Sequence, residues 1–215
     1  HGDVVRVLVE AGAETDKAEL DGSTPLLVAS ENGHVEVVRL LIEAGADINK
    51  ARDYGPTPLL IASENGHGDV VRLLIEAGAE TDKADEDGWT PLLVASENGH
   101  GDVVRMLVEK GVDINKAKNN GLTPLLIASQ NGHGDVVSVL LEQEADIDKA
   151  EEDGWTPLLV ASEKGHVEVV RVLVEKRADV NKARNDGVTP LSIASKMGHV
   201  EVVSILTEKG AEMFL

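Results

Sequence analysis

The sequence predicts an all-α solenoid, a linear stack of helix-turn-helix pairs with β-hairpin-like fingers, and three observations lead to this fold class. Each copy of a repeated tripeptide opens a short apolar stretch, which a second, amphipathic stretch follows. Aromatic residues make up only 2% of the chain, so small aliphatic side chains must form thin, regular packing layers. The tripeptide, Thr-Pro-Leu, recurs every 33 residues without insertion or deletion, starting at Thr24, Thr57, Thr90, Thr123, Thr156 and Thr189.

Residues 51–83 show how one repeat is built. Thr57 before a proline predicts a helix start, because the hydroxyl can accept from a backbone N–H and proline needs no donor there. A second helix is predicted from about Gly68 to Ala77, with valines and leucines on one face. Gly78 supplies the left-handed residue that ends it. The polar segment that follows is predicted to be the finger that reaches the next repeat.

The period also predicts the domain organisation. Residues 1–17 form an N-terminal half repeat, residues 18–182 form five full repeats, and residues 183–215 form a C-terminal capping repeat. We number the full repeats one to five, starting at residue 18, and the capping repeat is repeat six. A lone helix pair cannot cover its apolar faces, so each pair must stack on its neighbours. Ser192, Lys196, Ser204 and Thr207 make the last repeat more polar, as a cap requires.

Composition and charge exclude several classes of function. The net charge of −19 repels phosphate backbones, so nucleic acid is not expected as a partner. The chain has no cysteine, no apolar run that could span a membrane and no signal peptide, so a cytoplasmic or other intracellular location is expected, or a recombinant source if the chain is engineered. It begins at His1 rather than Met, which indicates a fragment or a processed chain.

The repeat resembles the ankyrin family over essentially the entire chain. The residues that carry the resemblance are Thr-Pro-Leu, an alanine three positions after its leucine, Gly-His, Val-Val, and Gly-Ala-Asp or Gly-Ala-Glu before the finger. The resemblance implies an ankyrin-repeat solenoid that binds a protein partner in a concave groove. It also implies that the groove is lined by residues that differ between repeats.

The chain departs from the family pattern at identifiable positions. The usual histidine after Thr-Pro-Leu is leucine in five repeats, so packing is expected to replace its hydrogen bonds. Glu144 and Arg177 stand where other repeats have the C-terminal glycine, and a positive φ there costs on the order of 1 kcal/mol. Asn49, Asn115 and Asn181 are expected to cap their own turns, although they are also similar to asparagines that a hydroxylase modifies in other ankyrin arrays.

Neighbouring repeats alternate in sequence, which indicates a unit of 66 residues. The finger residue after each alanine is acidic in odd repeats and basic in even ones, in the order Glu19, Arg52, Asp85, Lys118, Glu151 and Arg184. Duplication of a two-repeat block explains the alternation. The alternative explanation is a set of lateral ion pairs between fingers about 10 Å apart.

The recurring histidines and serines invite metal or catalytic hypotheses, which the period argues against. Successive histidines are about 10 Å apart, too far to share a zinc ion. Ser30 and His34 mimic a nucleophile and its base, but the pair recurs in every repeat and therefore belongs to the framework. No phosphate-binding glycine motif is present. We expect no enzyme activity, no cofactor and no metal.

The candidate partner-binding residues are those that vary between repeats. Trp89 and Trp155 are the only tryptophans, and each follows an acidic finger. They predict either two anchors for a basic peptide with apolar side chains about 20 Å apart, or indoles that pack within the stack. The candidate groove comprises Tyr54, Asp85, Glu86, Asp87, Trp89, Glu97, Leu122, Gln130, Glu151, Glu152, Asp153, Trp155, Glu163 and Lys164.

Two hypotheses for function remain, and both describe a non-catalytic, monomeric scaffold that binds a protein or a peptide, with a basic peptide as one candidate. In the first, the chain is an engineered array built from natural-like repeats, as the uninterrupted register and near-identical helices indicate. In the second, it is a fragment of a natural intracellular adaptor, as the missing glycines and the alternation indicate.

Overall fold

The computed structural model describes residues 2–53 and 55–212, and within them all regular secondary structure is α-helical. Tyr54, one of the candidate groove residues, lies outside the described residues. The thirteen helices of the described part are α1 (Gly2–Glu10), α2 (Pro25–Glu31), α3 (Val35–Glu43), α4 (Pro58–Glu64), α5 (Gly68–Glu76), α6 (Pro91–Asn98), α7 (Gly101–Glu109), α8 (Pro124–Asn131), α9 (Gly134–Glu142), α10 (Pro157–Lys164), α11 (Val167–Glu175), α12 (Pro190–Met197) and α13 (Val200–Glu208).

The even-numbered helices are short, and those from α4 to α10 are almost wholly buried, whereas α2 and α12 at the ends of the stack are partly exposed. At the start of α4 the Thr57 hydroxyl accepts a hydrogen bond from the Leu60 N–H at 3.2 Å, and Pro58 occupies the first turn. The same bond recurs at all six threonines. Residues 58–63 of α4 are all buried, so this helix is covered on several sides at once.

The odd-numbered helices are amphipathic. In α5 the side chains of Val70, Val71 and Leu74 are buried, whereas Asp69 and its exposed neighbours form the opposite face. The helix ends at a glycine with a φ of 94°, and the next N–H bonds to the Leu74 carbonyl at 2.9 Å. The same pattern of buried valines and leucine repeats along the stack.

The core is one continuous layer that runs the length of the array. Each helix from α2 onward contacts its own partner and the equivalent helices of the neighbouring repeats, so α2, α4 and α6 form one row while α3, α5 and α7 form the other, which α1 joins through α3. No helices of distant repeats share a substantial contact within 2–53 and 55–212. The molecule is therefore a solenoid and not a closed globule.

The fingers are tight turns. In repeat three the Asp85 N–H donates to the Trp89 carbonyl at 3.0 Å, and the Gly88 N–H donates to the Asp85 carbonyl at 3.1 Å. This single pair of bonds gives the finger its hairpin-like shape, and no strand is formed in the described residues. At the finger base, Lys116 donates to the Asp82 carbonyl of the preceding repeat at 2.6 Å, one of five equivalent links.

The three asparagines have a role different from the expected one. Instead of capping its own turn, Asn49 accepts from the Glu80 N–H of the next repeat at 2.9 Å. Asn115 and Asn181 make the equivalent bonds, both at 2.9 Å. Even repeats use an aspartate in this position, such as Asp148, which accepts from the next repeat in the same way. The position therefore joins repeats, which the pattern within one repeat could not reveal.

The departures from the family pattern take the expected conformations. The leucines that replace the usual histidine are buried, with Leu27, Leu93 and Leu159 at 0% exposure. Glu144 and Arg177 adopt φ values of 63° and 71°, which lie in the left-handed region that glycine occupies elsewhere.

Histidines form a ladder between repeats. The His100 Nε2 lies 2.9 Å from the Glu64 carbonyl of the preceding repeat, and because a carbonyl only accepts, this nitrogen carries the proton. The imidazole also packs on Gly66 of that repeat so closely that a Cβ there would lie 2.6 Å from the ring. The same bond is made by His67, His133, His166 and His199.

Candidate binding groove

We call the surface formed by the fingers and the C-terminal ends of the even-numbered helices the finger groove. The candidate residues within the described chain belong to these two structural positions, because finger and helix end recur once in each repeat. The exposed side chains of the odd-numbered helices form the other long surface, which we call the outer surface.

Six candidate residues meet at the junction of repeats four and five. They line a cavity of about 230 Å³, together with Leu126 and Val160, which the sequence had not singled out. The finger and helix of repeat four supply one wall, and the finger and helix of repeat five supply the other. The six candidates are Leu122, Gln130, Glu151, Trp155, Glu163 and Lys164.

The junction of repeats two and three carries a concentration of negative charge. Glu64 lies at the end of α4, and burial raises its pKa, with further contributions from Glu97, Glu31 and Asp85. Asp85 and Glu97 are candidate residues, and Glu64 occupies the position of Gln130 two repeats later. The same framework thus carries a carboxylate at one junction and a neutral amide at the other.

Each tryptophan is partly covered by a cation from the next finger. The Lys118 ammonium lies 4.1 Å from the centre of the Trp89 ring, and the Arg184 guanidinium lies 4.4 Å from the centre of the Trp155 ring. Both rings remain partly exposed. The indoles therefore pack within the stack on one side, and Trp155 also lines the cavity on the side of repeat four.

The first odd repeat has a serine at the tryptophan position and shows the same relation. Arg52 Nε donates to the Ser23 hydroxyl at 2.9 Å and lies 3.8 Å from the Asp21 carboxylate. In each even repeat the basic finger residue therefore contacts a residue of the preceding odd repeat. The contacted residue is the one that follows the finger glycine. The lateral ion pairs considered for the alternation occur at Arg52, whereas Lys118 and Arg184 stack on rings.

The acidic residues of the fingers divide into two groups. Asp85 and Glu151 turn inward, where each carboxylate accepts from the N–H of its own tryptophan, at 2.8 and 3.0 Å. The second group is exposed at the finger tips, so it contributes charge but no fixed contact through its carboxylates, and comprises Glu86, Asp87, Glu152 and Asp153.

The charge of Arg184 is balanced locally. Its Nε donates to Asp186 Oδ1 at 2.9 Å, and a second hydrogen bond joins the guanidinium to the other carboxylate oxygen. The side-chain hydrogen bond from Arg184 lowers the pKa of Asp186 to about 2. Lys164 similarly lies 3.6 Å from the Glu163 carboxylate at the cavity rim.

Lys118, Arg184 and Glu64 were not among the candidate groove residues, although they occupy finger and helix-end positions that vary between repeats. A signal for the two cations was present, because each follows its tryptophan by 29 positions and Arg52 follows Ser23 by the same interval. Glu64 could have been found as the equivalent of Glu97, which was a candidate. Leu126 and Val160 belong to the apolar framework, so nothing in their residue type distinguishes them from the core.

The serine and histidine of repeat two are not hydrogen-bonded to each other as a nucleophile and base would be, and the buried hydroxyls of Ser30, Ser96 and Ser162 have no hydrogen-bond partner within the described part of the chain. The Ser63 hydroxyl donates to the Leu59 carbonyl at 2.7 Å, while His67 bonds to the carbonyl of Glu31. Among residues 2–53 and 55–212, no three side chains of histidine, aspartate or glutamate are grouped as metal ligands.

These observations define a solenoid of helical repeats. Its helices are nearly identical from repeat to repeat, whereas the residues that line the finger groove differ between repeats. The family model for ankyrin repeats matches residues 1–85, 45–118, 78–151 and 145–215, so together the matches span the chain. The chain belongs to the ankyrin-repeat family. Ankyrin repeats are generally protein-interaction modules and typically lack enzymatic activity.

A search of curated proteins gave no significant match. Among the described residues, no helix has the length and apolar character needed to cross a membrane.

Proposed function

We propose that the chain is a non-catalytic scaffold that holds a protein or peptide partner in the finger groove. The observation that supports this most directly is the cavity at the junction of repeats four and five, which is lined by residues that vary between repeats. Clefts lined by apolar and aromatic side chains with a few polar groups are the usual form of a binding site.

The charge of the groove indicates the kind of partner. The raised pKa of Glu64 reflects burial together with three neighbouring carboxylates, and the chain as a whole carries a net charge of −19. A basic peptide would be attracted to such a surface, and the attraction would weaken as salt screens it.

A display library of random twelve-residue peptides tests the proposal, with backbone amide shifts of the ¹⁵N-labelled protein mapping where the selected peptides bind. We expect the shifts to fall on fingers and even-numbered helix ends, and we expect Trp89→Ala together with Trp155→Ala to weaken binding. Arg72→Ala and Glu109→Ala, which change exposed residues of the outer surface, are the matched controls. A library without binders, or binders that map to the outer surface, would contradict the proposal.

The origin of the chain forms part of the same proposal. We favour an engineered array assembled from natural-like repeats, supported by the unbroken 33-residue register and the near-identical helices. The alternative, a piece of a natural intracellular adaptor, is favoured by Glu144 and Arg177, since a designer would place glycine at a positive φ. The coding DNA discriminates between them, because repeat-level recoding indicates construction.

The division into a half repeat (1–17), five full repeats (18–182) and a cap (183–215), the monomeric state and the intracellular location stay predictions. Light scattering after size exclusion tests the monomeric state. The absence of cysteine is compatible with a reducing compartment.

A further inference from the structure

The chain already stacks a cation on each of its indoles, which shows the chemistry that these rings accept. Arg184 and Lys118 come from the repeat after each tryptophan, and they cover the ring from that side only. The Trp155 ring also lines the cavity that extends toward repeat four. A second flat cation could therefore meet the indole from the cavity side.

The cavity has the size and lining of a pocket for one long side chain. Its volume of about 230 Å³ is below the range of about 300–1,000 Å³ typical of small-molecule sites. The partly exposed Leu122 offers apolar surface to a methylene stem, above the buried Leu126 and Val160, while the carboxylates of Glu151 and Glu163 line the same cavity. A side chain with an apolar stem and a cationic head matches this lining.

The cations already present do not oppose a second one. Arg184 is paired with Asp186 through two hydrogen bonds, and the two carboxylates that line the cavity, Glu151 and Glu163, outnumber its one cation, Lys164. Glu151 uses one carboxylate oxygen for the N–H groups of Asp153 and Trp155, which holds its charge in place.

We propose that this cavity binds an arginine side chain of a basic peptide, with the guanidinium against Trp155 and the stem on Leu122. Arginine is the better fit than lysine because its planar head stacks on aromatic rings and is more weakly hydrated. This inference rests on the proposed function, which requires only that some partner occupies the finger groove.

The proposal extends to the junction of repeats two and three, where the corresponding positions carry similar types of side chain. Four residues of this junction, Trp89, Lys118, Asp85 and Glu97, occupy the positions of Trp155, Arg184, Glu151 and Glu163. In addition, Glu64 places a carboxylate where the other junction has the amide of Gln130. Two repeats separate the subsites by about 20 Å, since packed helices lie about 10 Å apart. An extended peptide spans this distance in about six residues, so the preferred ligand carries two arginines six positions apart.

The probe is a twelve-residue peptide of glycine and serine with two arginines six positions apart, and its affinity is measured by calorimetry and tryptophan emission. We expect citrulline in place of either arginine, which keeps the shape and removes the charge, to weaken binding about tenfold. Arginines three or nine positions apart should bind as weakly as the single-arginine peptide. Glu163→Gln should weaken binding, whereas Glu109→Gln on the outer surface should leave the affinity unchanged.

The two subsites should respond differently to pH. Because the pKa of Glu64 is raised, this carboxylate loses its charge as the pH falls, before carboxylates with ordinary values do so. Affinity should therefore decline on acidification, and Glu64→Gln should bind more weakly at pH 7 and lose part of this decline. Trp155→Leu, with its helical spectrum checked, should abolish the emission change assigned to that junction.

The outcomes separate this inference from the proposed function. Equal affinity for the arginine and citrulline peptides, indifference to spacing, or no binding of the probe at millimolar concentration would overturn the arginine subsites. The proposed function would survive such a result if library peptides still mapped to the finger groove, and it would fail only if none did.

Discussion

Two residues hold a backbone conformation that suits glycine. Glu144 and Arg177 have φ values of 63° and 71° at the position where Gly78 and Gly111 stand in other repeats. Replacement of either by glycine should raise the free energy of unfolding by about 1 kcal/mol, because relief of left-handed strain exceeds the added freedom of the unfolded chain. Chemical denaturation of Glu144→Gly and Arg177→Gly measures this gain.

The reverse substitutions at equivalent positions are the control. A Cβ added at Gly78 or Gly111 would meet no heavy atom within 4 Å, so alanine there changes backbone strain without a steric clash. Gly78→Ala and Gly111→Ala should therefore lower the free energy of unfolding by about the same 1 kcal/mol. A neutral effect of all four substitutions would show that these turns relax out of the left-handed region.

Asp148 joins repeats five and four at an energetic cost. Burial raises its pKa, although hydrogen bonding from the Asp179 N–H and the charge of Lys182 oppose the shift. Asp148→Asn should stabilise the protein at pH 7, because the amide keeps the acceptor and removes the partly buried charge. Asn49 and Asn115 already use this amide in the equivalent positions.

The pH dependence and a second variant test the cause. Because the pKa of Asp148 is raised in the folded state, the folded protein binds this proton more tightly than the unfolded chain does. Protonation of Asp148 therefore stabilises the fold below the ordinary pKa of 3.8, and this stabilisation is lost as the pH rises through the folded-state pKa. The advantage of Asp148→Asn should thus grow over that window. Asp148→Ala should destabilise the protein, since the Asp179 N–H loses its acceptor. A wild type as stable as Asp148→Asn at pH 7 would rule out the proposed cost.

At the level of helices and turns, most of the fold follows from local rules applied once per period. A threonine before proline, a glycine after a second apolar stretch and the aliphatic pattern predicted helix order and approximate bounds, as in α4 (Pro58–Glu64) and α5 (Gly68–Glu76). These features depend on backbone hydrogen bonds within a few residues, which one sequence window contains.

Contacts between repeats were harder to predict, because they depend on side-chain rotamers and on which residues the stack brings together. The Lys118 ammonium on Trp89 and the link from Asn49 to Glu80 join residues 29 and 31 positions apart. The cavity depends further on Leu126 and Val160, whose apolar type is shared by the whole core. Hence the candidate finger residues could be named from the sequence, but not their pairing.

The glycine that ends an even-numbered helix packs against the histidine of the next repeat, so an added methyl group at this glycine should lower the stability of the protein. Gly99 and Gly198 end α6 and α12 with φ values of 76° and 79°. A Cβ on Gly99 would lie 2.6 Å from the His133 ring of the next repeat, whereas one on Gly198 would meet nothing within 4 Å. Gly99→Ala should therefore cost about 1–3 kcal/mol more than Gly198→Ala in equilibrium denaturation.

The comparison holds backbone strain constant, since both glycines are left-handed. The difference between the two variants thus reports the contact with the histidine alone. Equal effects of Gly99→Ala and Gly198→Ala would mean that the imidazole yields without cost and that the ladder does not fix the spacing of repeats.

On the scale of the whole molecule, the physical unit is a pair of repeats. Each even finger places its cation on the odd finger before it, as Arg52, Lys118 and Arg184 show, so a block of 66 residues carries one complete pairing. Duplication of such a block and selection for these contacts are compatible, because the duplicated block already contains the pair that stabilises it.

Deletion of repeats tests both modularity and pairing. Removal of residues 84–149 takes out repeats three and four together and leaves Arg184 on Trp155, whereas removal of residues 117–149 takes out repeat four alone and leaves Trp89 before the acidic finger of Glu151. Both variants should keep the helical signal per residue and have a lower denaturation midpoint, because stability is approximately a sum over repeats and their interfaces.

Tryptophan emission per indole should match the full chain for the first deletion and differ for the second, in which Trp89 has lost its cation. A collapse of the helical signal in either variant would contradict the modular stack, while identical emission in both would show that the cation contributes nothing to the environment of Trp89.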